Sequence, residues 1–75
     1  MKSVTVMLNT INDVKEFVNK VTQVEYEVDL ISGRYAVDAK SIMGIFSLDL
    51  SKPIKVDIHN DNPTAFLEEI KKFIV

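Results

Sequence analysis

The chain has 75 residues, of which 47% are hydrophobic and 27% are charged. A chain this short is expected to form a single domain with one core, which spans residues 1–75. It contains no cysteine, which excludes a disulfide framework and a thiolate metal site and favours a reducing, cytoplasmic location. The net charge of −2 without a Lys/Arg cluster argues against nucleic acid as a partner, and the lack of an apolar run of ~20 residues argues against a membrane.

The N-terminal third predicts a strand followed by an amphipathic helix. In Val4–Leu8, apolar and β-branched residues favour a strand. Residues 9–13 supply turn and N-cap residue types, after which the apolar period changes from two to that of a helix. We predict a helix from about residue 12 to 24 whose buried stripe is formed by Val14, Phe17, Val18, Val21 and Val24.

The middle of the chain predicts a β-hairpin. Its first strand alternates Tyr26, Val28 and Leu30 with Glu25, Glu27 and Asp29, which is typical of a strand with one buried and one exposed face. Ser32-Gly33 is interpreted as the turn. The returning strand alternates Tyr35, Val37 and Ala39 with Arg34, Ala36 and Asp38.

The C-terminal half predicts a short helix, a strand and a last helix. Ser41 is a good N-cap for one or two helical turns, and Pro53 opens a strand in which Ile54, Val56 and Ile58 point inward. Asn62 as N-cap and Pro63 at the first helical position begin the last helix. Its buried stripe is Phe66, Leu67, Ile70, Phe73 and Ile74, and its acids Glu68 and Glu69 precede Lys71 and Lys72 at pairing distances.

The predicted order is β-α-β-β-α-β-α. It indicates an α+β fold, an open-faced β-sandwich in which helices cover one face of a four-stranded antiparallel sheet. We expect one common core that includes Val14, Phe17, Val18, Val56, Ile58, Phe66, Ile70 and Phe73.

The sequence offers no catalytic, cofactor or metal motif. It has no Gly-rich phosphate loop, no Cys/His metal set and no supported Ser-His-Asp triad. His59 lies beside Asp57 and near Asp61 in the sequence, which is compatible with a weak metal or proton-transfer site. Zinc, however, usually needs three or four protein ligands. We therefore interpret His59 as a solvated histidine at the end of a strand. The carboxylates at 25, 27 and 29 are what any half-exposed strand shows. We therefore expect a protein that is not an enzyme and has no cofactor.

The segment 40–48 is informative. Lys40-Ser41-Ile42-Met43-Gly44, followed by Ser47-Leu48, resembles the regulatory serine segment of the HPr family, the phosphocarriers of the bacterial sugar phosphotransferase system, and of their Crh-type paralogues. It lies after the second hairpin strand and before the fourth strand, where that family has it. The apolar stripe of the first helix also coincides with the family's, so the resemblance covers essentially the whole chain and implies the HPr-like fold.

The resemblance also implies a site. In the family this serine is phosphorylated by an ATP-dependent HPr kinase, and the neighbouring Ile and Met form an apolar patch that binds the kinase and a transcriptional regulator. Carried over to this chain, the site is Ser41 with Ile42 and Met43, to which we add Phe46 as a further contact.

The family's phosphocarrier motif is absent. That motif reads Gly-Ile/Leu-His-Ala-Arg-Pro-Ala at the start of the first helix, whereas Leu8–Val14 reads Leu-Asn-Thr-Ile-Asn-Asp-Val. Thr10 then stands at the histidine position, with Asn12 and Asp13 in place of the arginine and proline. A threonine hydroxyl without a neighbouring base cannot carry phosphate reversibly as imidazole does.

Two functional hypotheses follow. The first is a non-catalytic, HPr-like regulatory protein of carbon metabolism that acts by protein binding, with Ser41 as a regulatory phosphoserine. The second is a degenerate HPr fold that serves as a structural or oligomerisation module, in which an edge strand such as Val4–Leu8, or the hairpin, pairs between chains. An enzymatic role would need His59 as a phosphoryl acceptor, and nothing around it supports that.

Overall fold

The computed structural model describes all residues, 1–75. In chain order the elements are β1 (Lys2–Val6), α1 (Ile11–Val21), β2 (Val28–Ser32), β3 (Tyr35–Asp38), α2 (Ile42–Phe46), β4 (Ile54–Ile58) and α3 (Thr64–Glu69), followed by a 3-10 turn at Lys71–Phe73. This is the predicted order. None of the helices has the length and apolar composition needed to cross a membrane.

The four strands form one antiparallel sheet in the order β1-β4-β2-β3. Val56 of β4 lies opposite Val4 of β1 and Leu30 of β2. Because side chains alternate along a strand, this register turns Val4, Leu30 and Val56, with the residues two positions away on each strand, toward the helices, whereas Ile31 lies on the other face. Asp29 and Asp57, also opposite one another, lie on the helix-free face. The predicted inward and outward faces of the sheet are therefore confirmed.

One cluster of 16 buried apolar residues joins the sheet to the helices. It contains all but one of the eight residues expected in the core. The exception is Val18, which is half-buried and packs against the cluster. Within it, the rings of Phe17 and Phe73 meet edge to face with centroids 5.9 Å apart.

Two predicted boundaries between α1 and β2 were wrong. The helix ends at Val21 rather than at 24, where the Thr22 N–H donates to the Val18 carbonyl (2.9 Å). The strand begins at Val28 rather than at Glu25, because Val28 is paired with Ile58, the last residue of β4. Beyond this pair the His59 N–H still donates to the Glu27 carbonyl (3.0 Å), but no strand residue is paired with residues 25–27. Tyr26 still faces inward and packs edge to face on Phe66.

The hairpin turn lies one residue later than predicted. Ser32 and Tyr35 are paired in the ladder, so the two-residue loop is Gly33-Arg34. Gly33 has φ +60°, and no other residue has a positive φ. Glycine with positive φ at the first loop position, followed by a residue with negative φ, is typical of a type II′ turn. Arg34 is thus a turn residue and not the start of β3.

The start of the last helix also differs from the prediction. The N-cap is Pro63, whose carbonyl accepts from the Leu67 N–H (2.9 Å), and not Asn62. The Asn62 side-chain oxygen accepts from the Thr64 hydroxyl at 2.7 Å, and no side chain caps the first turn of the helix. The helix ends at Glu69, one turn earlier than its apolar stripe indicates.

The charged residues of this region reach α1 rather than one another. Glu69 pairs with Lys20 (3.0 Å) and Lys72 pairs with Glu16 (2.7 Å), whereas the sequence predicted pairs within the last helix. Both ion pairs are partly exposed, so each adds at most ~1 kcal/mol. They favour the observed packing of the C-terminal segment beside α1.

The chain end lies along the outer edge of β1. The Met7 N–H donates to the Phe73 carbonyl (2.9 Å), and the Val75 N–H donates to the Thr5 carbonyl (3.0 Å). This pairing occupies the second half of an edge that would otherwise be free to pair with another strand.

Candidate functional site

Ser41 is the N-cap of α2, as predicted. Its backbone is extended (φ −97°, ψ 98°), its Oγ accepts from the Gly44 N–H at 3.2 Å, and its carbonyl accepts from the Ile45 N–H at 3.0 Å. The turn before it is fixed by Asp38, whose carboxylate accepts from the Lys40 N–H (2.8 Å). Ser41 is exposed, so its hydroxyl is both oriented by the helix and accessible from solvent.

The Ser41 hydroxyl has room because residue 44 is glycine. A Cβ at Gly44 would lie 3.1 Å from Ser41 Oγ, closer than most real Cβ contacts, and would touch the Val37 Cβ at 3.4 Å. Sequence reasoning assigned no role to Gly44. The sequence signal for this role is a glycine three residues after a serine N-cap, because the backbone N–H at that position donates to the serine hydroxyl.

Beside this hydroxyl, α2 presents an apolar surface. The Met43 side chain is 77% exposed and Phe46 is 40% exposed, whereas Ile42 is half-buried against the core and Ile45 is fully buried. The helix Ile42–Phe46 contains no charged residue. Exposed large apolar side chains that lie together are typical of an interaction site.

Thr10 is also an N-cap, at the start of α1. Its Oγ1 accepts from the Asp13 N–H (3.0 Å), and the Asp13 carboxylate accepts from the Asn9 N–H (3.0 Å). This reciprocal arrangement is similar to a capping box, in which the residue three positions after the cap reaches back to the chain before the helix. No base makes a hydrogen bond to the Thr10 hydroxyl, and a carboxylate already takes one of the exposed N–H groups at this helix end.

His59 has a different partner from those predicted. Its Nε2 lies 2.9 Å from an oxygen of Asp29 on the neighbouring strand. Asp57 accepts instead from the Ser3 hydroxyl (2.7 Å), and Asp61 pairs with the terminal amine of Met1 (3.1 Å). The sequence missed the His59 pair because Asp29 is 30 residues away and becomes a neighbour only through strand pairing.

The acidic residues and His59 form no larger cluster elsewhere. No three or more His, Asp or Glu side chains are placed to hold a metal ion. Glu25 and Glu27, which with Asp29 formed the predicted acidic strand face, are exposed and lie before β2.

A family model described as "PTS HPr component phosphorylation site" matches residues 12–75. The chain belongs to this HPr family of the phosphotransferase system. Proteins of the family are phosphocarriers that act through contacts with other proteins of that system, and they are not catalysts. The matched range covers the whole of the chain from the first turn of α1 onward, including Ser41 and its neighbours, and begins after Thr10.

Solved structures show the same fold. HPr-C-His from Thermoanaerobacter tengcongensis is 24% identical, with a TM-score of 0.79 over 96% of this chain and 89% of that one. Phosphocarrier protein HPr from Bacillus anthracis is 19% identical, with a TM-score of 0.73 over 99% and 96%. A histidine-containing phosphocarrier protein from Mycoplasma is 10% identical, with a TM-score of 0.75 over 95% and 89%. Among curated protein sequences there is no significant match.

Proposed function

We propose that this HPr-family protein is a non-catalytic regulator that acts by binding other proteins and is switched by phosphorylation of Ser41. The observation that carries the proposal is the juxtaposition on α2 of an exposed, oriented hydroxyl with the exposed side chains of Met43 and Phe46. A phosphoryl group added there lies at the margin of an apolar contact surface. It adds about −1.5 to −2 charges at pH 7, which is enough to change which partner that surface accepts.

The fold can accept the modification. The Ser41 Oγ already meets the Gly44 N–H, and α2 has no acidic residue in its first turn to repel a phosphate. Oxygen atoms of a phosphoserine are stronger acceptors than a hydroxyl, so the cap persists. The change is then confined to the surface, and the sheet and core are unaffected.

A second part of the proposal is that the chain carries no phosphate at the start of α1. We place Thr10 at the position of the family's phosphocarrier histidine. Two contacts support this part: the Thr10 hydroxyl is used as a helix cap, and Asp13 holds a negative charge beside it. Both disfavour a phosphorylated side chain at that helix end.

The proposed partners are cytoplasmic proteins: an HPr kinase that modifies Ser41 and a transcriptional regulator that reads the result. Nucleic acid and membrane are not direct partners in this proposal. Asn12 offers no positive charge to receive a phosphoserine in a complex, so the apolar side chains of Ile42, Met43 and Phe46 supply the contact. Met43, the most exposed of the three, is the anchor.

Capture of partners from the native cytosol tests this proposal. Immobilised wild type, Ser41→Asp and Met43→Ala are compared, with Val75→Ala as a control that shortens an equally exposed apolar side chain elsewhere. We expect Met43→Ala to lose a partner that Val75→Ala keeps, and Ser41→Asp to change the captured set. Identical capture by all four proteins would favour the alternative, a structural or oligomerisation module.

That alternative has less support. The edge strand proposed for pairing between chains was Val4–Leu8; in the structure it is β1, Lys2–Val6, and the segment Phe73–Val75 already lies along part of its outer edge. The free edges are then the first half of β1 and the outer edge of the four-residue strand β3 at the other side of the sheet, and both are short.

A further inference from the structure

A groove of about 870 Å³ opens at one end of the sheet, and Ser41, Ile42 and Met43 are not among the residues that line it. Its lining includes the β2–β3 turn at Gly33-Arg34 and the loop from Ser47 to Pro53 that leads into β4. The lining also includes Thr5, Ile31 and Lys55, which stand side by side on three adjacent strands. The groove is thus built by parts of the chain that are far apart in sequence.

The charge of this groove is opposite to that of the whole protein. Arg34, Lys52 and Lys55 line it together with a single acid, Asp49, although the chain carries a net charge of −2. Neither Arg34 nor Lys52 is in an ion pair, and the Lys55 ammonium lies at a long 3.6 Å from Asp57. Three cations around one concavity raise the local concentration of anions.

The one acid of the groove is already engaged. Asp49 accepts hydrogen bonds from the Ser51 hydroxyl and from the Ser51 N–H (3.0 Å). These bonds, with the nearby charge of Lys52, lower the pKa of the Asp49 carboxyl. Asp49 therefore stays ionised, but its charge is directed to Ser51 and does not pair with Arg34 or Lys55.

Neutral groups complete the lining. The hydroxyls of Thr5 and Ser32 make no side-chain hydrogen bond within the protein, so both are free to donate to a ligand. Tyr35 presents a ring that is 66% exposed. A concavity of this size with a few polar groups falls in the range of sites for small molecules, about 300–1,000 Å³.

We propose that this groove binds a small molecule that carries two or more phosphate charges. Arg34 and Lys52 hold the phosphates from the turn and from the loop, Lys55 adds a third positive charge, and the free hydroxyls donate to phosphate oxygens. Arginine and lysine bonds to phosphate are charge-assisted and among the stronger hydrogen bonds in proteins. The site shares no residue with the Ser41 surface, so it does not depend on the function proposed above.

Titration with inorganic pyrophosphate, followed in ¹H–¹⁵N correlation spectra at constant ionic strength, tests the proposal. We expect saturable shifts concentrated in residues 31–35 and 47–55. The double variant Arg34→Ser/Lys52→Ser should weaken binding at least about tenfold, because two charge-assisted bonds are lost. The control Lys15→Ser/Lys71→Ser removes the same charge from two other exposed lysines without ion pairs and should bind as wild type does.

Three results would overturn the proposal. The first is the absence of saturable shifts in the groove. The second is an equal loss of affinity in both double variants, which would show attraction by overall charge alone. The third is tighter binding of a short polyglutamate peptide than of pyrophosphate in the same groove, which would make it a docking surface for an acidic protein segment.

Discussion

Ser41 and Thr10 have the same backbone role, since each caps a helix with its hydroxyl, but their surroundings differ. Asp13 lies next to Thr10, and its carboxylate is bonded to the chain just before the helix. The residues that follow Ser41 are apolar or glycine. We therefore expect an added phosphate to be repelled at Thr10 and accommodated at Ser41.

We predict that phosphoenolpyruvate and the first enzyme of the phosphotransferase system will transfer no phosphoryl group to this protein. The reason is that no base makes a hydrogen bond to the Thr10 hydroxyl, since the Asp13 carboxylate is bonded to the Asn9 N–H instead, and that the His59 ring is bonded to Asp29 of the neighbouring central strand. Acid-labile phosphate is measured, with a histidine-containing HPr as the positive control. Its appearance on any residue of this chain would contradict the prediction.

The half-buried Tyr26 gives a prediction at alkaline pH. Burial raises the pKa of its phenol above the ordinary 10.0, so the neutral form is favoured in the folded protein. This contribution to stability is complete below pH 10.0 and is lost as the pH rises through the folded-state pKa. In a Tyr35→Phe variant, whose only remaining phenol is Tyr26, absorbance titration should give a midpoint above 10.0; a midpoint at or below it would contradict the assignment.

At the scale of single elements, predictions from local signals were confirmed where no tertiary contact competed. The Ser41 cap and the alternation of Ile54, Val56 and Ile58 are examples. The Asn62 cap was wrong because the helix begins one residue later, after Pro63, and the start of β2 was wrong because its partner strand ends at Ile58. The second outcome depends on a neighbouring strand that residue type and periodicity do not reveal.

The Ser41 cap gives a prediction on stability. Ser41→Ala removes the acceptor for the Gly44 N–H and should cost roughly 0.5–2 kcal/mol, whereas Ser41→Asp keeps an acceptor and should stay within about 1 kcal/mol of wild type. Urea unfolding measures both, and Thr10→Ala, which removes the corresponding cap of α1, serves as the comparison. A Ser41→Asp variant less stable than Ser41→Ala would show that negative charge is not tolerated at this position.

At the scale of the whole molecule, the buried core could be predicted from the sequence, whereas groups of surface residues from separate segments could not. Seven of eight expected core residues are buried because apolar periodicity determines which face of each element is covered. The candidate site on α2 was predictable because Ser41, Met43 and Phe46 are close in sequence. The His59–Asp29 pair and the groove with Arg34 and Lys52 arise only when separate segments are brought together.

We predict that the core depends strongly on Phe17. It is fully buried and packs on Phe73, so Phe17→Ala should cost roughly 3–5 kcal/mol, a large part of the stability of so small a domain. Asn19→Ala, at an exposed position of the same helix, should change stability by no more than about 0.5 kcal/mol. Chemical unfolding compares the two, and similar midpoints would contradict the described core.

The central claim, that Ser41 is the phosphorylation switch of an HPr-family protein, is tested most directly by intact-mass measurement after incubation with an HPr kinase and ATP. We predict the addition of one phosphoryl group to wild type and none to Ser41→Ala, while Ser47→Ala, which removes the other serine of the same segment, is modified as wild type is. An unmodified wild type, or a Ser41→Ala variant that still gains a phosphoryl group, would contradict the account.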